Sequence, residues 1–376
     1  MRVGIDARFY GPKQKGLGRY VQKLIENLEK VDLTNQYVIF LRKENWSAYQ
    51  PTNLNFKKVL ADYRWYSLPE QILMPFKIYQ AKVDLMHFPH FNVPILYSGK
   101  IITTIHDMLM HKSRGKEATT LPFCTYLVKR AGYKFAFKRA VEKSVKIIVP
   151  SESTKNELIN NYGIEEDKVS ITYEGVNIDL FQKKINKRRV LERYNFKRKY
   201  FVYVGNAYPH KNLDRAIEAV VYVNEKLKKK VDLVIITSRG IFEKKLKKCV
   251  KKHKAQEYTK LLGYVSDEEL GVLLRESVAF IYPSIDEGFG LQGLESMAAG
   301  TLVLASNISV FKEIYGKNAI YFNPLDFSSI AKAMEDVMNL DSNKRGQLIK
   351  KSQMFIKRYS WTKMAKDTLQ IYKESL

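Results

Sequence analysis

Short, continuously apolar runs punctuate the chain, separated by stretches whose apolar residues recur every three or four positions. In the first half these runs are R-V-G-I-D (2–6), Y-V-I-F-L (37–41), L-M-H-F (85–88), I-I-T-T-I-H-D (101–107) and K-I-I-V-P (146–150). In the second they are Y-F-V-Y-V-G (200–205), D-L-V-I-I-T (232–237), V-A-F-I-Y-P (278–283) and T-L-V-L-A-S (301–306). Unbroken apolar runs, as opposed to strict alternation, predict parallel strands covered on both faces, and the intervening period predicts the covering helices. The rhythm runs twice, which predicts two doubly wound α/β domains. The boundary falls between Gly175 and Tyr200, where K-K-I-N-K-R-R breaks the pattern with charge, and the domains are set at 1–180 and 181–360. Ligands of such folds bind at the carboxyl ends of strands, so the cleft between the domains is the expected site.

One helix breaks its own pattern. In I-D-E-G-F-G-L-Q-G-L-E-S-M-A-A-G (285–300), a helix starting near Gly290 puts Leu291, Leu294, Ala298 and Ala299 on one broad face. Glu295 falls inside that arc, with Gln292 and Ser296 on the wet side. A carboxylate there is costly to desolvate unless something pairs with it.

Composition narrows the class. The chain has 376 residues, 45% hydrophobic and 12% aromatic, which is globular and long enough for two cores. Its first residues read as a strand and not as a leader peptide, and no run reaches the ~18 apolar residues of a membrane span. Two cysteines, Cys124 and Cys249, make no disulfide framework, and a reducing cytoplasm is the expected location. A formal charge of +25 admits nucleic acid, an anionic membrane surface, acidic small molecules, or simply a lysine coat. No nucleic-acid module accompanies the charge, so no specific nucleic-acid partner is expected. K-L-K-K-C-V-K-K-H-K (245–254) reads as the wet side of a helix docked by Leu246, Cys249 and Val250. Phe123, Tyr126, Tyr133 and Phe137 share one helical face flanked by basic residues; that stripe either packs on the sheet or lies in a membrane interface.

The segment F-I-Y-P-S-I-D-E-G-F-G-L runs strand, loop, helix. Gly288 and Gly290 let a ligand approach the main chain, and the amides of Phe289, Gly290 and Leu291 form a helix N-terminus suited to an anion. Glu287 and Glu295 flank those amides as hydroxyl acceptors. The set suits a phosphate-bearing polyhydroxyl compound.

The motif E-G-F-G-L-x-x-L-E, two glutamates with seven residues between them, resembles the signature of glycosyltransferase family 4, and the resemblance covers nearly the whole chain. It implies the GT-B fold, two Rossmann-like domains facing each other across a cleft, with residues 361–376 as a closing helix packed back on the first domain. It implies a retaining hexosyltransferase in which Glu287 contacts the donor sugar and Glu295 the ribose. K-G-L-G-R-Y (15–20) is similar to the family's N-terminal glycine loop, with Gly16 and Gly18 beside the donor diphosphate. Val21 replaces the third glycine of a dinucleotide fingerprint. V-G-N-A-Y-P-H-K-N (204–212) is similar to the family's phosphate-binding segment, which assigns Lys211 to the diphosphate. Asn206 and His210 stand where relatives carry further basic residues, which leaves the number of cations open. The resemblance places His106 near the transferred sugar, and Asp107 orients its loop. It assigns Tyr264 and Val265 to the base, with Ser266 capping the next helix and Glu269 three residues on. His90, Asn92 and Asp107 are candidate acceptor-side residues.

With no D-x-D triplet in the sequence, no metal or other cofactor is expected, the anion being held by amides and Lys211 instead. The resemblance to mannosyltransferase-like members implies GDP-mannose as donor, with UDP-sugars or another nucleotide-diphosphate hexose behind it. A glycan or lipid-linked glycan in surface-polysaccharide (lipopolysaccharide-type) synthesis is the expected acceptor. An enzyme peripheral on the inner face of the cell membrane is the corresponding location.

Overall fold

The computed structural model describes residues 1–112, 122–182, 185–237 and 241–376; Lys183 and Lys184 of the charged interruption and the side chain of Phe123 lie outside the described residues. The chain divides into two units, Met1–Gly175 with Ser360–Leu376, and Val176–Tyr359. The divisions fall at 175/176 and 359/360, where the sequence suggested 180 and 360.

The first unit is built on a parallel sheet of β1 (Arg2–Asp6), β2 (Gln36–Leu41), β3 (Phe56–Leu60), β4 (Leu85–Phe88), β5 (Ile101–Thr104), β6 (Ser144–Val149) and β7 (Val169–Ile171). Their order is β3-β2-β1-β4-β5-β6-β7. Ile5 lies between Ile39 and His87 in register, and β1, β4 and β5 are almost wholly buried. The second unit holds β8 (Lys199–Val204), β9 (Val231–Ile236), β10 (Thr259–Leu262), β11 (Ala279–Tyr282), β12 (Val303–Ser306) and β13 (Ile320–Phe322), again all parallel, in the order β10-β9-β8-β11-β12-β13. Each order reverses direction once, between β1 and β4 in the first sheet and between β8 and β11 in the second. Loops after the strands on either side of such a switch point diverge and open a crevice. That geometry decides where the candidate residues meet.

The nine apolar runs of the sequence all become strands. The four strands absent from that reading, β3, β7, β10 and β13, are the four sheet edges. An edge strand pairs on one side only, so it tolerates Lys57, Lys58 and Lys260 and carries a weaker apolar signal.

The helix Trp361–Glu374 lies against the helix Lys15–Val31, where Thr362 Oγ1 donates to Asn27 Oδ1 at 2.9 Å. Its Tyr372 hydroxyl shares a 2.6 Å hydrogen bond with Nδ1 of the fully buried His87. Of the aromatic stripe of the helix Phe123–Lys143, Tyr133 and Phe137 pack inward, buried and meeting Phe91 at 5.0 and 5.4 Å, while Tyr126 is half-buried. Leu127, Val128 and Phe135 of the same helix are exposed instead. Among the described residues no helix is long and apolar enough to cross a membrane.

Candidate active site

In the second unit the chemistry collects at the switch point. After β8 the chain makes the tight turn Pro209–Lys211 and then sets Asn212 at φ 56°, a left-handed conformation that asparagine tolerates. Asn212 Nδ2 donates to Pro283 O at 2.9 Å and Pro324 O at 2.8 Å, and Ile285 N donates to His210 O at 2.9 Å. The turn is thereby stitched to the loop that follows β11. Lys211 Nζ donates to Glu287 Oε1, an ion pair whose two side chains are each only 10% exposed. Sequence reasoning named both residues but not their pairing.

Beneath this pair lie three buried tyrosines that sequence reasoning missed. Tyr203 donates to Asn206 O at 2.7 Å, Tyr282 to Gln292 Oε1 at 2.7 Å, and Tyr315 to Gly290 O at 2.5 Å. Each hydroxyl braces a segment that carries a candidate ligand-binding residue. Burial, with the Glu287 charge second, holds all three phenols well above their ordinary pKa, so they act as neutral donors. The available signal was position: Tyr203 and Tyr282 stand at the carboxyl ends of β8 and β11. His210 is also uncharged. Burial and the neighbouring Lys211 lower its pKa to about 4, leaving Lys211 as the cation of this turn.

Gly290 caps the helix Leu291–Ala299 at φ 101°, with no side-chain cap and no acidic residue in the first turn. The Tyr315 hydroxyl and the Phe311 ring leave no room for a Cβ there. Gly288 is buried, and its φ does not enter the left-handed region, so the conformational freedom expected of both glycines is used only at Gly290. Phe289 is buried, its ring 5.8 Å from that of Tyr359. The wheel drawn from sequence requires two corrections. Ser296 is buried, its hydroxyl satisfied within the helix by donating to Gln292 O at 2.8 Å. Leu291 and Glu295 are half-buried on the more open side, so Glu295 is not embedded in the apolar face.

Tyr264 is 86% exposed and Val265 is buried. Ser266 caps the helix Asp267–Arg275 by accepting from Glu269 N at 3.3 Å. The Glu269 carboxylate does not complete a capping box; it binds Arg193 at 2.6 Å and the Tyr194 hydroxyl at 2.8 Å.

In the first unit, His106 lies two residues beyond the end of β5. Its Nε2 donates to Pro89 O at 3.1 Å, which fixes the proton on that nitrogen, and Nδ1 faces Glu174 Oε1 at 3.5 Å. The edge of Tyr20 packs on the ring at 4.6 Å. Glu174, just past β7, is a second residue that sequence reasoning missed, because β7 itself was not visible. His90 packs on Phe91 at 4.0 Å, and burial, with His106 nearby, lowers its pKa to about 3. Asn92 is buried, with its amide donating to Glu70 Oε1 at 2.7 Å. Glu70 in turn binds the buried Arg8, which clasps Asp6 through two nitrogens. Asn92 therefore anchors a buried charge network beside β1, and its amide is engaged there. Asp107 accepts from Leu109 N at 3.0 Å and orients its loop.

Gly16 and Gly18 are not in a loop; both lie in the opening turns of the helix Lys15–Val31. Gly18 is required by close approach, since a Cβ would strike the carbonyl oxygens of Gly11 and Phe9, whereas a Cβ on Gly16 would meet nothing within 4 Å.

Comparison with known proteins agrees with the architecture. A Glycosyltransferase Family 4 model matches residues 15–180, and a Glycosyl transferases group 1 model matches residues 184–355. The O-antigen chain mannosyltransferase RfbU of Salmonella typhimurium is 28% identical over 278 residues, spanning 73% of this chain and 71% of its own length. The O-antigen chain mannosyltransferase B of Escherichia coli is 24% identical over 291 residues, 77% and 74% of the two chains. The crystal structure of Anabaena HepE in complex with UDP-glucose is similar with a TM-score of 0.74 at 14% identity, covering 100% of this chain and 99% of that one.

Proposed function

The chain belongs to glycosyltransferase family 4 and has its GT-B fold, and from that premise we propose a retaining, metal-independent enzyme that transfers mannose from GDP-mannose to a glycan or lipid-linked glycan hydroxyl in surface-polysaccharide synthesis. One observation carries the reading: an ammonium, a carboxylate and an uncapped helix N-terminus converge at the switch point of the second sheet. The amides of Phe289, Gly290 and Leu291 and the cation Lys211 suit a diphosphate, whose charge grows as the glycosidic bond breaks. Glu287 accepts from the sugar hydroxyls and Glu295 from the ribose. The acceptor hydroxyl attacks the anomeric carbon from the face the nucleotide leaves, and its proton passes to a departing phosphate oxygen. Glu287 is a holder of the sugar in this scheme and forms no bond to it. His106, with Nε2 held by Pro89, keeps Nδ1 and Glu174 as the polar edge toward the transferred sugar.

The mannosyl donor is supported by the two O-antigen mannosyltransferases; HepE, with its UDP-glucose, shares the fold alone. A thermal-shift series with GDP-mannose, UDP-glucose and UDP-galactose in EDTA, followed by transfer of labelled sugar, tests the assignment. GDP-mannose raising the melting temperature without a divalent ion is the expected result. A shift with UDP-sugars only, or only when magnesium or manganese is added, overturns the donor or the metal independence.

A second reading concerns location. Leu127, Val128 and Phe135 are exposed beside Lys129, Lys134 and Lys138 on the helix Phe123–Lys143, which suits an anionic membrane surface. Flotation with anionic vesicles should recover the protein at low salt and lose it at high salt; no binding at low salt removes this reading.

A further inference from the structure

Three side chains of the second unit that the donor-binding reading leaves unused come together on two neighbouring helices. Asp214 stands in the first turn of the helix Leu213–Glu225, Cys249 near the end of the helix Ile241–Lys252, and His253 directly after it. His253 N donates to Cys249 O at 3.1 Å, so the helical turn continues and the C-x-x-x-H spacing puts both side chains on one face. Cys249 Sγ donates to Asp214 Oδ1 at 3.0 Å, and His253 Nε2 meets the same oxygen at 3.1 Å. The three potential ligand atoms all lie within 4.8 Å of one another, the one such grouping found among the described residues.

We propose that Asp214, Cys249 and His253 form a binding site for one divalent ion of the zinc class, with solvent in the fourth position. Tetrahedral zinc with sulfur at about 2.3 Å and nitrogen and oxygen at about 2.0–2.2 Å spaces its ligand atoms by roughly 3.3–3.7 Å, so small side-chain rotations suffice. Sulfur with imidazole selects zinc-like ions over magnesium or calcium. On binding, the thiol proton leaves to solvent, sulfur and carboxylate together cancel the charge of the ion, and the neutral imidazole binds through Nε2. In the ion-free protein Asp214 Oδ1 takes the thiol and imidazole as donors, an arrangement in which protons stand where the ion would. Lys252 Nζ, 3.6 Å from Asp214 Oδ1, is the competing cation; its side chain is largely exposed and free to turn into water. The ion would tie the helix that follows the Pro209–Lys211 turn to its neighbour, whatever the donor is.

The test is cobalt titration of the full chain, with zinc as competitor. One equivalent of cobalt should produce the near-ultraviolet thiolate-to-cobalt band and visible bands of a four-coordinate ion, both displaced by zinc. Cys249→Ser should abolish the thiolate band, and His253→Ala and Asp214→Asn should each weaken binding by at least about 10–100-fold, the range for loss of a mere outer partner. Cys124→Ser should change nothing. A wild-type spectrum without the thiolate band, a band that survives Cys249→Ser or disappears with Cys124→Ser, or affinity indifferent to His253→Ala would overturn the site.

Discussion

Replacing Lys211 by methionine keeps most of the side-chain bulk and deletes the ammonium, leaving the Glu287 carboxylate nine-tenths buried without its partner. Breaking a buried pair from one side costs about 3–5 kcal/mol, because the surviving charge is uncompensated. Glu287 lies near a helix N-terminus, which places the cost near the lower end, about 3 kcal/mol. In a domain of 150–250 residues each kcal/mol moves the melting temperature by about 2–4 °C, so the Val176–Tyr359 unit should melt roughly 6–12 °C lower. Glu287→Gln should destabilise similarly, since it strands the ammonium. The double variant Lys211→Met/Glu287→Gln contains neither charge and should recover most of the loss, a favourable coupling of the kind that double-mutant cycles isolate. Turnover behaves differently: all three variants should lose at least about 100-fold in kcat, because each lacks a group aimed at the leaving diphosphate or the sugar. Calorimetry and labelled-mannose transfer on the same preparations read both quantities. Single losses that simply add in the double variant would refute the pair, and a double variant that regains turnover would reduce both residues to a structural role.

The two first-unit glycines should separate by stability. Gly18→Ala forces a Cβ onto the Gly11 and Phe9 carbonyls and should lower the melting temperature, whereas Gly16→Ala, with open space around it, should raise stability by about 0.5–1 kcal/mol. A loss of stability in Gly16→Ala would contradict the helical placement. Acid should weaken the first unit in a defined window. The folded-state pKa values of His87 and His90 fall from 6.5 to about 3 by burial, with His106 second, so below about pH 6.5 the unfolded chain takes up protons that the folded one refuses. Stability is then complete above pH 6.5 and falls as pH drops toward 3, by up to about 1.4 kcal/mol per pH unit for each ring. Urea midpoints from pH 7.5 to 5 should show that slope, and His87→Gln should flatten it; an equal slope in the variant would count against the buried neutral ring.

What the sequence revealed and what it concealed have one cause. Strands such as Val231–Ile236 and Ala279–Tyr282 lie inside their sheets, are apolar along most of their length, and announce themselves in any window. Phe56–Leu60 and Thr259–Leu262 lie at edges, accept lysines, and pass for loop. The site follows the same rule. Lys211 and Glu287 were legible because a fixed local spacing carries them, but their pairing spans 76 residues and depends on which strands are neighbours. Tyr203, Tyr282 and Tyr315 look like ordinary core aromatics until the hydroxyl partners are known. Ser296 was misplaced because a helical wheel ranks residues by polarity, and a serine that returns its hydroxyl to Gln292 O can be buried.

The connection of the first unit has a consequence for biosynthesis. Residues 176–359 are an uninterrupted stretch, so the second unit has its whole sequence before translation reaches Ser360. The first unit, begun earlier, must wait: His87 in β4 obtains its Tyr372 hydroxyl, and the helix Lys15–Val31 its covering helix, only when residues 361–374 leave the ribosome. The lobe translated first is the lobe completed last, and until then the nascent chain carries an uncovered apolar helix face that chaperones would have reason to hold.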